Sequence, residues 1–218
     1  IWSGKEVPRI MYFVHTKLDI LASQSPRLLY DNINNTIRKY KDLWKSETDE
    51  VDVRFLSFPD CTGFIQRQTP ELLDYFRNET HGPNQADICR VAALLETGGY
   101  YFDVDMVTSK AWSPNKCSIA TALTPSHSVM QSILIATPSH PVLLESVRFM
   151  VDHYRELQMH PVGSRQYAAF NLNMGPKTMK QAVSRLGWKF PSQCLLHEVR
   201  VDVEGKLYPH IPRQSGFG

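Results

Sequence analysis

The chain has 218 residues, 42% hydrophobic and 21% charged, with 24 basic against 22 acidic residues for a net charge of +2. A chain of this size suits one sizeable α/β domain, and we read residues 1–218 as a single domain. The balanced, scattered charge excludes the basic stripe of a nucleic-acid binder. No apolar run approaches the ~20 residues that span a bilayer.

The four cysteines, Cys61, Cys89, Cys117 and Cys194, form no C-x-x-C pair, so their spacing argues against zinc and leaves disulfides open. Asn34-Asn35-Thr36 and Asn78-Glu79-Thr80 read as glycosylation acceptors and point to a secretory lumen, Golgi or ER. A membrane anchor upstream of Ile1, or a cytoplasmic location, is also compatible with the sequence.

In chain order, Pro8 to His15 is an apolar run after a proline, the pattern of a central parallel strand. Leu21 to Trp44 reads as mostly helical, with Ser25-Pro26 as its cap and first position. Val51 to Phe58 alternates as a second strand, and Thr69-Pro70-Glu71 opens a short helix through Phe76. A polar loop is expected from Asn78 to Gln85. Later strands are predicted over Ile119–Thr124 and Gln131–Thr137, then a helix after Pro141 with Leu143, Val147, Met150, Tyr154 and Leu157 on its apolar side. A polar loop around His160–Gln166 leads to Asn171–Pro176, a helix is expected near Lys177–Leu186, and Glu204-Gly205 marks a hairpin in the tail. Strands alternating with helices imply a mostly parallel sheet covered on both faces.

The richest stretch runs from Ala86 to Val107. Ile88, Val91, Ala92 and Leu95 share one helical stripe, and Gly98-Gly99 ends it. From Tyr100 the period becomes two, so Tyr101, Asp103 and Asp105 face one way and Tyr100, Phe102, Val104 and Met106 the other. Two carboxylates so placed have Cα atoms roughly 6–7 Å apart, which suits one divalent cation. At a strand's C-terminal end they also lie where open α/β sheets bind ligands. An EF-hand reading fails because Val107-Thr108-Ser109 supplies no further ligands. Asp103-Val104-Asp105-Met106-Val107 also fits a haloacid-dehalogenase-like phosphatase with Asp103 as nucleophile. That reading needs a second acidic pair, and Glu145, Asp152, Glu156, Glu198, Asp202 and Glu204 do not supply one after a strand. Cys89 reads as a small core residue, and His81, His127, His140, His153, His160 and His197 as structural.

Ala-Asp-x-x-Arg, a helix ending in Gly-Gly, and Tyr-x-Asp-x-Asp together resemble the DXD-containing glycosyltransferases of family 32, which include initiating mannosyltransferases and are related to the clostridial glucosylating toxins. Asp87, Arg90, Tyr101, Asp103 and Asp105 keep that family's spacing. Val7-Pro8-Arg9-Ile10-Met11, Ile135-Ala136-Thr137-Pro138-Ser139-His140-Pro141 and Asn173-Met174-Gly175-Pro176 echo further segments, with Met174 in place of a Thr. The resemblance implies a GT-A, Rossmann-like fold and transfer of a monosaccharide from a UDP- or GDP-sugar to a glycan, protein or lipid acceptor, with retention and with Mn²⁺ or Mg²⁺. It implies metal binding by Asp105 and Asp103, and sugar contacts from Asp87, Arg90, Tyr101 and Asp103. Phe13 and His15, at the end of the first strand, become nucleobase candidates, His15 standing where the toxins carry a Trp. His210 and Ser215 become candidates for a closing lid, and Gly175 and Pro176 for a loop near the acceptor. A non-catalytic nucleotide-sugar-binding protein is the alternative from outside enzymology.

Overall fold

The computed structural model describes residues 6–15, 20–24, 27–44, 51–106, 108–109, 111–113, 116–124, 129–172 and 174–197. Strand β1 (Ile10–Val14) is followed by helices α1 (Ile20–Ser23) and α2 (Arg27–Trp44), then by β2 (Asp52–Leu56) and α3 (Phe58–Gln68). A 3₁₀ turn (Pro70–Leu72), α4 (Leu73–Asn78) and α5 (Gly82–Thr97) lead to β3 (Gly99–Phe102). The hairpin strands β4 (Ile119–Leu123) and β5 (Val129–Ala136) precede α6 (Pro141–Leu157), α7 (Arg165–Asn171) and α8 (Met174–Arg185). A second 3₁₀ turn (Ser192–Cys194) enters β6 (Leu195–His197). Among the described residues no helix is long and apolar enough to cross a membrane.

The six strands lie in the order β2-β1-β3-β5-β4-β6. The pairs β1–β2, β1–β3 and β4–β6 are parallel, and β5 runs antiparallel to both β3 and β4. The sheet is thus mostly parallel, as the alternation of elements predicts. Successive strand residues turn to opposite faces. Tyr12, Tyr101 and Leu134 enter a core with α3, α5, α6 and α8, whereas Met11, Phe13, Tyr100, Phe102 and Ile135 pack against Ile33, Tyr40 and Trp44 of α2.

Helix α5 is the axis of the first core. From Asn84 to Leu95 every residue except Ala86 is buried, so the helix is covered on all sides rather than along a stripe. Gly98 and Gly99, at φ 67° and 122°, turn this helix straight into β3. A Cβ at Gly98 would come within 2.7 Å of the Ala136 carbonyl, and one at Gly99 within 2.6 Å of the Ile10 carbonyl, so both positions need glycine for space as well as for backbone angle.

Several expected boundaries move. Strand β3 stops at Phe102, so Asp103 follows the strand and Asp105 sits in a turn closed by the Met106 N–H on the Asp103 carbonyl (3.2 Å). Helix α5 starts at Gly82 instead of after a loop to Gln85, and Gly175 and Pro176 lie in a helix instead of a loop, because α8 starts at Met174. Helix α3 was not expected at all. Its signal is Ser57-Phe58-Pro59-Asp60, a capping box in which the Ser57 N–H reaches the Asp60 carboxylate at 2.9 Å. Cys89 is not a free core thiol: it pairs with Cys61, and Cys117 pairs with Cys194. The expected Ser25-Pro26 cap and the hairpin at Glu204-Gly205 lie outside the described residues.

Candidate active site

The chemistry collects where β3 ends. Asp87 and Arg90 come from the second and third turns of α5, and their i, i+3 spacing places both on the side of the helix facing the end of the sheet. Arg90 is buried, and all three nitrogens of its guanidinium find partners. Nη2 meets Asp87 Oδ1 at 3.1 Å and Asp103 Oδ1 at 3.0 Å. Nη1 donates to the Gln131 carbonyl at 2.7 Å and Nε to the Ala86 carbonyl at 3.2 Å. The guanidinium also lies 4.3 Å from the centre of the Tyr101 ring. A buried cation needs such compensation, and here it also acts as a clamp: two carboxylates from different elements are held by one planar group.

Tyr101 is fully buried, and burial raises its pKa well above the ordinary phenol value, so it remains a donor. Its hydroxyl donates to Asp103 Oδ1 at 2.5 Å. The Asp103 N–H in turn donates to the Ser132 carbonyl at 2.8 Å. Asp103 is thereby fixed through one carboxylate oxygen and its backbone while its side chain keeps 28% exposure. Asp105 is exposed. Partial desolvation, and then the Asp103 charge, push its pKa up, which marks two carboxylates repelling each other.

Asp87 lies deepest. Burial raises its pKa to about 6 against the opposing pull of Arg90, and its Oδ2 accepts the Gly175 N–H at 3.0 Å. That contact brings the start of α8 onto the site. A Cβ at Gly175 would lie 2.3 Å from the Asp87 carboxylate and 2.5 Å from Gln131 Oε1, so only glycine lets the first turn of α8 approach so closely.

Sequence reasoning missed the contribution of β5. Thr121 pairs with Leu134 but Ala122 with Met130, so Gln131, Ser132 and Ile133 bulge out of the β4 ladder. The Thr121 hydroxyl pins the bulge on the carbonyls of Met130 and Ile133. This bulge supplies the two carbonyls that hold Arg90 and the Asp103 N–H. It also leaves the Gln131 amide, 1% exposed, without a hydrogen-bond partner among the described residues. A polar residue interrupting the apolar run of β5 was the available signal.

The other expected site residues are placed as follows. Phe13 is buried on the α2 face, stacked 5.9 Å from Phe102, on the opposite side of the sheet from Tyr101. Phe13 is level with Phe102, so His15 leaves β1 at the end of the sheet where Asp103 and Asp105 lie; its Nδ1 has no partner among the described residues. Pro176 lies in the first turn of α8, beside Gly175. His210 and Ser215 fall outside the described residues.

The donor set can be tested against a cation. Among the described residues no group of three or more His, Cys, Asp or Glu could hold a metal by itself. Asp87 and Asp103 share one buried cation, Arg90, whereas Asp105 is exposed and has its pKa raised by partial desolvation and by the Asp103 charge. One or two carboxylates open to solvent fit a hard divalent ion that takes its remaining ligands from a substrate diphosphate and water.

Residues 18–123 match the family model described as the glycosyltransferase sugar-binding region containing a DXD motif. This segment is thus similar to that glycosyltransferase region, and Asp103-Val104-Asp105 is the Asp-x-Asp within it. Among solved structures, it is similar to the PaToxG glycosyltransferase, at 16% identity and a TM-score of 0.55, over 85% of this chain and 71% of that one. That likeness supports the GT-A fold. A transferase mutant with two cysteine-to-serine changes aligns over 87% of this chain and 91% of its own, at 17% identity and a TM-score of 0.44. No curated protein matches the chain.

Proposed function

We propose that this chain is a glycosyltransferase that takes a monosaccharide from a UDP- or GDP-sugar, in the presence of Mn²⁺ or Mg²⁺, and places it on an acceptor hydroxyl with retention of anomeric configuration. One observation carries the reading: Asp103 is immobilised by Tyr101, Arg90 and the β5 bulge, beside an exposed Asp105 at the C-terminal end of β3.

Breaking the bond between the anomeric carbon and the diphosphate leaves negative charge on the departing oxygen. A divalent ion held by Asp105 and Asp103 would supply Lewis-acid stabilisation there. The protein's part is positioning. Asp105 projects into solvent and is free to change partners, whereas Asp103 has its orientation set by two donors on one oxygen. Beneath it, Asp87 and Arg90 form a floor of fixed polarity for sugar hydroxyls, and Tyr101 keeps its proton to hold Asp103 in place. Retention, which the family resemblance implies, requires no general base opposite the leaving group.

The test combines the protein with Mn²⁺ and a panel of UDP- and GDP-sugars while recording thermal shift and release of nucleotide diphosphate. A donor at about a hundred times its Kd adds ~2.7 kcal/mol, which for a chain of this size is roughly 5–10 °C. Asp105→Asn should lose the metal-dependent part of both signals yet unfold within about 0.5 kcal/mol of the parent, because the side chain is exposed. A shift without release makes the chain a binder. Phosphate release from small phosphoesters with no nucleotide binding returns it to the phosphatase reading.

A further inference from the structure

The two Asn-x-Thr tripeptides play no part in the chemistry above, and the fold treats them differently. Asn34-Asn35-Thr36 lies inside α2, the helix that covers one face of the sheet. Asn34 is half-buried, and Thr36 is 1% exposed with its hydroxyl unpartnered among the described residues. Asn78 is the last residue of α4 and is exposed; its Nδ2 donates to the Asp74 carbonyl (2.8 Å) on the helix surface.

Local backbone explains why Asn78-Glu79-Thr80 faces outward. Glu79 is extended (φ −69°, ψ 129°), so the chain leaves the helix directly after Asn78. Glu79 turns inward, accepting the Tyr154 hydroxyl at 2.8 Å, Asn84 Nδ2 at 3.1 Å and the His81 N–H at 2.8 Å. Asn78 and Thr80 are both exposed.

A second observation is independent of the motif. All four cysteines are joined, Cys61–Cys89 with Cα atoms 5.0 Å apart and Cys117–Cys194 with Cα atoms 5.8 Å apart, leaving none free. Paired structural disulfides belong to oxidising compartments. Asn78 lies within the loop closed by the Cys61–Cys89 bridge, so the modified segment is anchored at both ends.

We propose that Asn78 is an N-glycosylation site, that Asn34 is not, and that the chain works in the lumen of the secretory pathway. The amide nitrogen of Asn78 attacks the anomeric carbon of an oligosaccharide carried on a lipid pyrophosphate, through the host's oligosaccharide transferase. A carbon–nitrogen bond forms, the bond from that carbon to the pyrophosphate oxygen breaks, the lipid pyrophosphate leaves with the electron pair, and the amide proton passes to a base of the transferase. No oxidant is required.

The experiment expresses the full chain behind a secretion signal in eukaryotic cells and analyses medium and lysate together, so that retention hides nothing. The expected result is one mobility step, removed by peptide N-glycosidase and leaving Asp at position 78 by mass spectrometry. The step should persist in Asn34→Gln and vanish in Asn78→Gln. If Asn78→Gln is degraded, Thr80→Ala, which keeps the asparagine, should also remove the step, and Thr80→Ser should restore it. Unmodified Asn78 in the parent, or a glycan on Asn34, overturns the site assignment. Thiol alkylation before and after reduction should find no free thiol until reduction, and labelling of the unreduced protein overturns the compartment.

Discussion

Replacing Gly175 by alanine should disturb the site from behind while touching no exposed group. The new Cβ would sit 2.3 Å from the Asp87 carboxylate, which cannot step aside cheaply because Arg90 holds its other oxygen at 3.1 Å. Overpacking of this kind costs about 1–3 kcal/mol. Losing the charge-assisted bond from the Gly175 N–H adds roughly 1.5–3 kcal/mol. Alanine's better helix propensity returns at most ~1 kcal/mol, and less so near a helix end. The balance is about 3 kcal/mol of lost stability, or roughly 6–12 °C in Tm for a chain of this length. The assay is urea unfolding of the parent, Gly175→Ala, Asp87→Ala and the double variant. With the carboxylate gone, the Gln131 amide is the far end of a flexible chain and can swing away, so Gly175→Ala should cost almost nothing in the Asp87→Ala background. Equal costs in both backgrounds would refute the argument, because additivity means that the two residues do not act on each other.

Arg90→Met should destabilise the chain by about 3–5 kcal/mol in the same unfolding assay, since Asp87 would stay buried without its cation. Arg90→Lys keeps the charge but not the fork of donors, so it should recover stability without recovering donor-induced thermal shift. His140 caps α6 by accepting the Val142 N–H on Nδ1 (3.2 Å), and burial pushes its pKa down to about 4 from the ordinary 6.5. The unfolded chain binds more protons between those values, so this contribution is complete above pH 6.5 and is lost as pH falls toward 4, on the order of 3 kcal/mol in all. His140→Asn keeps a capping acceptor that does not titrate, and its stability should depend less on pH in that window. Removing the Cys61–Cys89 bridge, which spans 28 residues, should cost about 3–4 kcal/mol, and removing Cys117–Cys194, which spans 77, about 4–5 kcal/mol; denaturation of the two double-alanine variants checks the order.

Local sequence rules decided those parts of the chain where one short stretch contains both the signal and its partner. Ile88, Val91, Ala92 and Leu95 followed by Gly98-Gly99 define a helix, its stop and a following strand, because helical period, positive φ and strand alternation are all local properties. The same segment sets Asp87, Arg90, Tyr101, Asp103 and Asp105 at one end of the sheet by spacing alone. Tertiary structure decided what those side chains do to one another. Period two places Asp105 on the Tyr101 face of a strand, but β3 ends at Phe102 once Asp103 bonds to the β5 bulge, and Asp105 enters a turn. Neither that bulge, nor the Gly175 N–H on Asp87, nor the Cys61–Cys89 bridge can be read locally, since each joins segments that meet only when α5 is enclosed. Residue order specified the carboxylates and the guanidinium; burial of α5 specified which of them pair, and it left Asp103 and Asp105 to face the solvent.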